Sequence, residues 1–325
     1  MLGRLLARLP RAPAGERWAG DDAAVLEVAP GRCVVSCDTA VAGVHADLGV
    51  LSEADLGWRA VAGALSDLAA MAAEPVGVLL GLTVPRDGAP EAVLEGAVAC
   101  AEAHGVPVVG GDLSEAPVVT LCVSVVGRTA TAFGPVGRDG ARPGDWLALT
   151  GPVGAAAAGL RVLREAGTRD GRLDPNRGGC APGEEPPGAA WADLVRAHRR
   201  PRARLAEGLA AGRAGVRAMV DVSDGLALDL HRLADASGVG VVLWDVPVVP
   251  GARFEEALGG GEDYELVMAT ADLARLRAGF ARAGLPEPLV VGRVVADPDH
   301  RTWRGEPLPR AGYEHGRAQG PAGSA

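Results

Sequence analysis

The chain has 325 residues, 48% hydrophobic and 22% charged, a globular composition long enough for two domains with a sizeable core. Its 32 basic and 41 acidic residues leave a net charge of −9 and a pI near 5.2, which argues against nucleic acid or an anionic membrane as the main partner. Every basic residue is Arg, so a P-loop lysine, a protein-kinase lysine and a Schiff-base lysine are excluded together.

The opening MLGRLLARLP is basic and apolar, but Pro10 and its arginines interrupt it well short of a secretory h-region. No uncharged apolar run reaches about 18 residues, so no membrane span is expected and the reading is cytoplasmic. Val-rich runs then alternate with Ala/Leu helical patterns, the signature of an α/β or mixed α+β fold. Cys33 to Asp38 predicts a strand, Ala54 to Ala73 a helix striped by Leu56, Ala60, Ala64, Leu68 and Met71, and Glu91 to His104 a second helix. Strands follow at Val106 to Val109 and Val118 to Val126. Gly134 to Asp145 is rich in Gly, Pro and charge and reads as a crossing between halves.

The second half opens with a strand at Trp146 to Thr150 and a helix at Gly154 to Glu165. Residues 167–190 are dominated by Gly, Pro and acid and predict a flexible loop, and the tail from Gly316 predicts fraying. Further strands are expected at Ala218 to Val222, Val239 to Trp244, Tyr264 to Ala269 and Leu289 to Val294, with helices at Gly225 to Ser237 and Asp272 to Ala283. The expected fold class is α/β (α+β) in two mixed halves, residues 1–140 and 141–325. Five cysteines, at 33, 37, 100, 122 and 180, form no CxxC pair and fit neither a disulfide framework nor a zinc site.

Acidic residues recur at strand ends beside Gly or Ser. They stand in Asp21-Asp22, Ser36-Cys37-Asp38, Ser66-Asp67, Gly110-Gly111-Asp112, Asp221-Val222-Ser223-Asp224 and Gly261-Glu262-Asp263. An Asp after Gly often serves only a turn, and a Ser before Asp only a helix cap. Asp67 resists that reading, because it falls inside a helical pattern between Leu65 and Leu68, where a buried carboxylate needs a cation or a strong donor. If the tips converge, their repulsion calls for neutralisation, and Mg²⁺ held by carboxylates, water and substrate phosphates is the usual neutraliser. His198, in HRRPRARL, reads as a helix cap or part of a basic patch with no catalytic role.

Taken together, GDDAAVL at 20–26, SCDTAVAGVH at 36–45, LGWRAVAGALSDLAAMAAEP at 56–75, GGD at 110–112, GRDGARPGDWLALTG at 137–151, HRRPRARL at 198–205, DVSDG at 221–225 and GGEDYEL at 260–266 resemble the thiamine-monophosphate kinase family. The motifs run in the family's order over nearly the whole chain. The wider superfamily includes aminoimidazole ribonucleotide synthetase, selenophosphate synthetase and a hydrogenase-maturation dehydratase. The resemblance implies an N-terminal half that binds ATP and metal and dimerises through its sheet, and a C-terminal α+β half.

It also implies ATP-dependent phosphorylation of thiamine phosphate to thiamine diphosphate by direct in-line transfer at a site with several Mg²⁺ ions. By resemblance, Asp22, Ser36, Cys37, Asp38, Asp67, Asp112, Asp221 and Asp224 take metal-ligand positions. Gly111, Asp112, Arg138 and Ser223 match nucleotide positions, and Asp38, Asp67, Asp112 and Arg138 carry catalysis. His45, Glu262 and Arg310 fall at substrate positions.

Cys37 stands where the family usually has Thr: harmless if the contact is the backbone carbonyl, weakening if it is the hydroxyl. Arg310 replaces an expected aromatic, which touches substrate affinity rather than reaction class. The alternatives are a weakened relative that senses nucleotide or thiamine phosphate, or another ATP-dependent enzyme of the superfamily. The dehydratase requires a C-terminal Cys where this sequence reads Pro-Ala-Gly-Ser-Ala, and selenophosphate synthetase a reactive residue near the N-terminus.

Overall fold

Val-rich runs in the first part of the chain pair into a four-stranded sheet, made of β1 (Cys33–Val41), β2 (Ala73–Val84), β3 (Val108–Glu115) and β4 (Thr120–Thr129) in the order β1-β4-β2-β3. The computed structural model describes residues 32–129, 134–166, 168–169, 172–173 and 189–314; Asp22, Cys180, most of 167–190 and the tail from Gly316 lie outside them. β4 is antiparallel to β1 and β2, whereas β3 joins β2 in parallel. That parallel step needs a crossover, which α2 (Pro90–Ala103) provides.

Helix α1 (Glu53–Ala70) links β1 to β2. Ser52 caps it, accepting from the Asp55 amide at 3.1 Å while the Asp55 carboxylate accepts from the Ser52 amide at 3.1 Å, a reciprocal capping box. The sequence pattern carries this helix to Ala73, but it stops at Ala70, and Ala72 takes φ +52 to turn the chain directly into β2. β2 is absent from the sequence reading because Leu79, Leu80 and Leu82 put apolar side chains on both faces and erase the alternation. Likewise, Gly110-Gly111-Asp112, read as a strand tip, lies within β3.

In the second part, β5 (Trp146–Leu149) enters a seven-stranded sheet, and a two-residue ladder, β6 (Thr168–Arg169) with β7 (Arg172–Leu173), stands apart from it. The remaining strands are β8 (Ala218–Asp221), β9 (Gly240–Leu243), β10 (Leu266–Thr270), β11 (Leu289–Val295), β12 (Arg301–Trp303) and β13 (Glu306–Pro307), ordered β13-β12-β9-β11-β5-β10-β8. Its pairings are antiparallel except β12 with β9.

Ala148, Met219, Leu266 and Met268 on one face pack into the same core as α1, α2, α3 (Ala155–Ala166), α4 (Ala189–Arg199), α5 (Leu205–Ala214) and α8 (Leu273–Arg282). Leu147, Leu149, Val220 and Val267 on the other face meet α6 (Leu226–Ser237) and α7 (Phe254–Gly259). One hydrophobic core therefore runs from the first sheet across α1 into the second, which places the C-terminal end of α1 against β8. Helices α4, α5 and α7 go beyond the sequence reading, although Trp191, Leu194 and Val195 set an i, i+3, i+4 apolar stripe on α4.

α1 and α2 approach closely because glycines face each other's backbone. A Cβ at Gly57 would fall 1.9 Å from the Val93 carbonyl oxygen, and one at Gly96 would fall 1.8 Å from that of Ala54. Gly96→Val is expected to destabilise the fold by about 3 kcal/mol or more. Thermal unfolding followed by circular dichroism measures this, and an unchanged Tm would mean that the helices do not pack through these glycines.

Candidate functional site

A cavity of about 1000 Å³ opens between β1, α1, α3 and the loops that follow β8 and precede β10. Asp38 of β1, Asp67 of α1, Asp221 at the end of β8 and Asp224 just beyond all line it, so carboxylates from both parts of the chain meet there. Alternation along β1 puts Ser36 on the same face as Asp38, and its hydroxyl donates to Asp67 Oδ2 at 2.5 Å. One residue earlier on α1, Ser66 turns the other way and donates to Asp221 Oδ2 at 2.6 Å. The Ser-Asp pair at 66–67 thus stitches α1 to both sheets.

Electrostatic repulsion is written into these groups. Burial pushes Asp38 up to about 6, with the Asp67 and Asp224 charges adding to it. Asp221, only 5% exposed, is pushed up to about 7 by burial, then by Asp67. Burial raises Asp67 as well, against the pull of the Ser36 hydroxyl and the Arg138 charge. The donor Asp67 requires at the sequence level is therefore partly supplied by Ser36.

Segment 221–225 is shaped by a residue that the sequence reading overlooks. Asp229 Oδ2 accepts from the amides of Ser223, Asp224 and Gly225 at 3.1, 3.0 and 3.1 Å, while Oδ1 takes Arg232 at 2.8 Å. Those amides are occupied and do not form a phosphate cradle; the loop offers its side chains instead. Arg232 also pairs with Asp224. The available signal was an acid in the first turn of α6, four residues after a glycine.

The 260–264 loop rests on this segment through Glu262 N–H to Ser223 O at 2.8 Å and Tyr264 N–H to Val222 O at 3.0 Å. Glu262 and Tyr264 adopt φ +67 and +52, conformations uncommon for such residues that the flanking hydrogen bonds hold in place. Asp263 points away and accepts from the Gly154 and Ala156 amides at 2.5 and 3.0 Å, fixing the start of α3. Glu262 forms an ion pair with Arg59, a buried α1 residue that also donates to the His198 carbonyl. Arg59 and Asp229 are the residues that sequence reasoning misses: each looks like an ordinary helix charge until the packing is known.

Of the other expected residues, Ser223 and His45 line the cavity, and His45 Nδ1 accepts from the Val41 amide at 3.1 Å. Cys37 alternates to the opposite sheet face, where its Sγ lies 3.3 Å from that of Cys122. Its side chain is therefore turned away from Asp38 and Asp67. Asp112 is in register with Gly81, Cys122 and Thr39, on that same outer face and three strand spacings, about 14 Å, from β1. Gly111 and Asp112 are thus not brought to the cavity by the described residues. Arg138 is exposed near its edge, with its carbonyl held by the Ser237 hydroxyl at 2.8 Å. Arg310 lies outside, 3.5 Å from Asp235, and Gly312 and Tyr313 line the cavity in its place.

The AIR synthase related protein family matches the chain in two parts, its N-terminal domain over residues 20–129 and its C-terminal domain over 142–304. The thiamine-monophosphate kinase of Salmonella typhimurium is 33% identical over 320 residues, 92% of each chain. The crystal structure of the thiamine-monophosphate kinase from Stenotrophomonas maltophilia K279a matches with a TM-score of 0.78 and 31% identity, over 94% of this chain and 96% of that one. AaThiL complexed with AMPPCP and TMP matches with a TM-score of 0.73 and 27% identity, over 91% of each chain.

Two outcomes are expected from the polar framework. Asp229→Ala strands three amides, so it should cost about 3 kcal/mol or more in urea unfolding, while Asp229→Asn, which keeps an acceptor, costs less; equal losses would deny the carboxylate its role. Asp221 holds its proton more tightly folded than unfolded, so its contribution to stability is present below about pH 4 and lost as pH rises through about 7. In chelator-treated buffer, the Tm of Asp221→Asn should gain on the wild type across that window, and parallel curves would contradict the burial of this charge.

Proposed function

The chain belongs to the thiamine-monophosphate kinase family of AIR synthase related proteins, and on that premise we propose that it transfers the γ-phosphoryl group of ATP to the phosphate of thiamine phosphate, giving thiamine diphosphate. The observation that carries the reading is the meeting of Asp38, Asp67, Asp221 and Asp224 in one cavity with His45 and Glu262. AMPPCP is an ATP analogue, so the AMPPCP and TMP complex of the related AaThiL supports the same pair of ligands.

The carboxylates fit a hard divalent cation. They are oxygen donors that raise one another's pKa. Mg²⁺ takes one or two carboxylates beside water and substrate phosphate oxygens. Asp38, Asp67, Asp221 and Asp224 would share several Mg²⁺ ions in this way, and when bound the ions would neutralise charge on the phosphates being joined.

The protein's own groups handle position. Ser36 and Ser66 fix the directions of Asp67 and Asp221, and Asp229 fixes the loop that bears Ser223 and Asp224. Arg138 lies near enough to Asp67 to lower its pKa, where its guanidinium can attract phosphate oxygens. The accepting oxygen is already ionised near neutral pH, so no general base is required.

In this reading residues 1–140 supply the metal and ATP side together with a homodimer face, and residues 141–325 supply the Glu262 loop. No described helix is long and apolar enough to cross a membrane, and a cytoplasmic location is part of the same reading.

Purified chain with ATP, Mg²⁺ and thiamine phosphate is expected to form thiamine diphosphate, seen by chromatography, only when all three are present. Asp67→Asn should lower kcat by about 100-fold or more with its fold intact. ATP bound without product would favour the sensor alternative.

A further inference from the structure

Cys37 is exposed and Cys122 half-buried, and their sulfurs lie 3.3 Å apart on the sheet face opposite Asp38. Register explains the approach. Across β1 and β4, Cys37 stands opposite Ser124 and Thr39 opposite Cys122, so the two cysteines are diagonal neighbours on one face. Ser124 Oγ donates to Cys37 Sγ at 3.4 Å and holds that side chain over β4. The phosphoryl transfer proposed above uses neither thiol group.

The other described cysteines are out of reach. Cys100 is buried in α2, and Cys33 lies four residues earlier on β1, about 13 Å along the strand. Cysteine number and spacing exclude a structural disulfide framework, but two thiols with their sulfurs in contact are a different case. A bonded pair needs about 2.05 Å between sulfurs, so closure asks for roughly 1 Å of movement. Side-chain rotation absorbs part of it, because the two strands are already hydrogen-bonded in register. The remainder falls on β1, whose next residue is Asp38.

We propose that Cys37 and Cys122 form a reversible oxidation site, at which hydrogen peroxide joins them in an intrachain disulfide tying β1 to β4 behind the carboxylate cavity. One sulfur attacks a peroxide oxygen; the O–O bond breaks, a water leaves and a sulfenic acid remains. The second sulfur then attacks the first, the S–O bond breaks and a second water leaves. Each cysteine gives up one electron and one proton, and the peroxide takes both pairs to become two waters. In a reducing compartment the dithiol is the resting form, and a dithiol reductant restores it by exchange. Because Ser36 and Asp38 flank Cys37 and face the cavity, the shift in β1 displaces them from their working positions.

The test exposes the full chain to hydrogen peroxide, blocks remaining thiols with N-ethylmaleimide, and maps peptides by mass spectrometry without reduction. Wild type is expected to lose about 2 Da and to yield one linked peptide pair, joining Cys37 to Cys122. Its kcat should fall about tenfold and return when dithiothreitol is added. Cys122→Ser should give no linked pair and keep its turnover through the same exposure.

Wild type in which both thiols stay open to N-ethylmaleimide overturns the inference. So does a bond between two chains, seen as a reducible dimer on a denaturing gel, or a link made through Cys33, Cys100 or Cys180. A fully linked protein with unchanged kcat would confine the bond to the outer face and deny its effect on Asp38. The peptide map needs only wild type and no turnover, so it decides the disulfide even if the serine variant fails to fold. Reduced wild type that forms no thiamine diphosphate would sink the kinase reading alone, and the linked pair would stand.

Discussion

Several carboxylates of like charge are held at one seam between two sheets, and the surrounding structure is organised by the cost of keeping them there. Water is too scarce at Asp221 to dissipate the charge, so hydroxyl donors are brought in from neighbouring elements: Ser36 to Asp67 and Ser66 to Asp221. Asp224 instead takes a guanidinium, and Arg232 shares itself between it and Asp229. These donors reduce the repulsion without abolishing it, since Asp38 and Asp221 remain well above the usual carboxylate range. A site left in that condition favours a cation and the phosphates that accompany it.

Helix α1 is the member through which this arrangement acts. It is buried on nearly every side, and its successive turns face different partners: Gly57 meets α2, Arg59 reaches α4 and the Glu262 loop, and Ser66 and Asp67 face the two sheets. Gly63 leaves room where a side chain would otherwise crowd Tyr264 Oη at 3.0 Å and Asp38 Oδ2 at 3.3 Å. Tension in the 260–264 loop is held in place from the same side, because two consecutive backbone bonds tie it to the 222–223 strand end. Rigidity at the cavity thus comes from tertiary contacts rather than from any one element.

Period-two geometry explains why neighbours in one motif serve different surfaces. In Ser36-Cys37-Asp38 the outer two side chains face the cavity, and the middle one joins Cys122 on the far side of the sheet. Asp112 falls on that far face too, by its register with Gly81 and Cys122. Motif membership therefore does not imply a shared site, and one residue of register is enough to separate two carboxylates by a sheet's thickness.

Much of the architecture was legible in the sequence, for a plain reason: periodicity reports which residues must leave water, and α1, α2, α6, α8 and most strands announce themselves in that way. β2 was hidden because leucines on both faces cancel the alternation, and the helical stop at Ala72 rests on a positive φ that no sequence pattern marks. The grouping of Asp38, Asp67, Asp221, Asp224, His45 and Glu262 was visible as motifs, and the family resemblance rested on those same residues. Which of them meet was not, because that depends on how two sheets pack across α1. Arg59 and Asp229 were silent for the same reason: their importance lies in what they touch, and those contacts join residues as far apart as 59 and 262. By itself the sequence determined residue chemistry, element order and the family; tertiary structure alone decided which charges share a low-dielectric cavity, because desolvation and repulsion act through space and not along the chain.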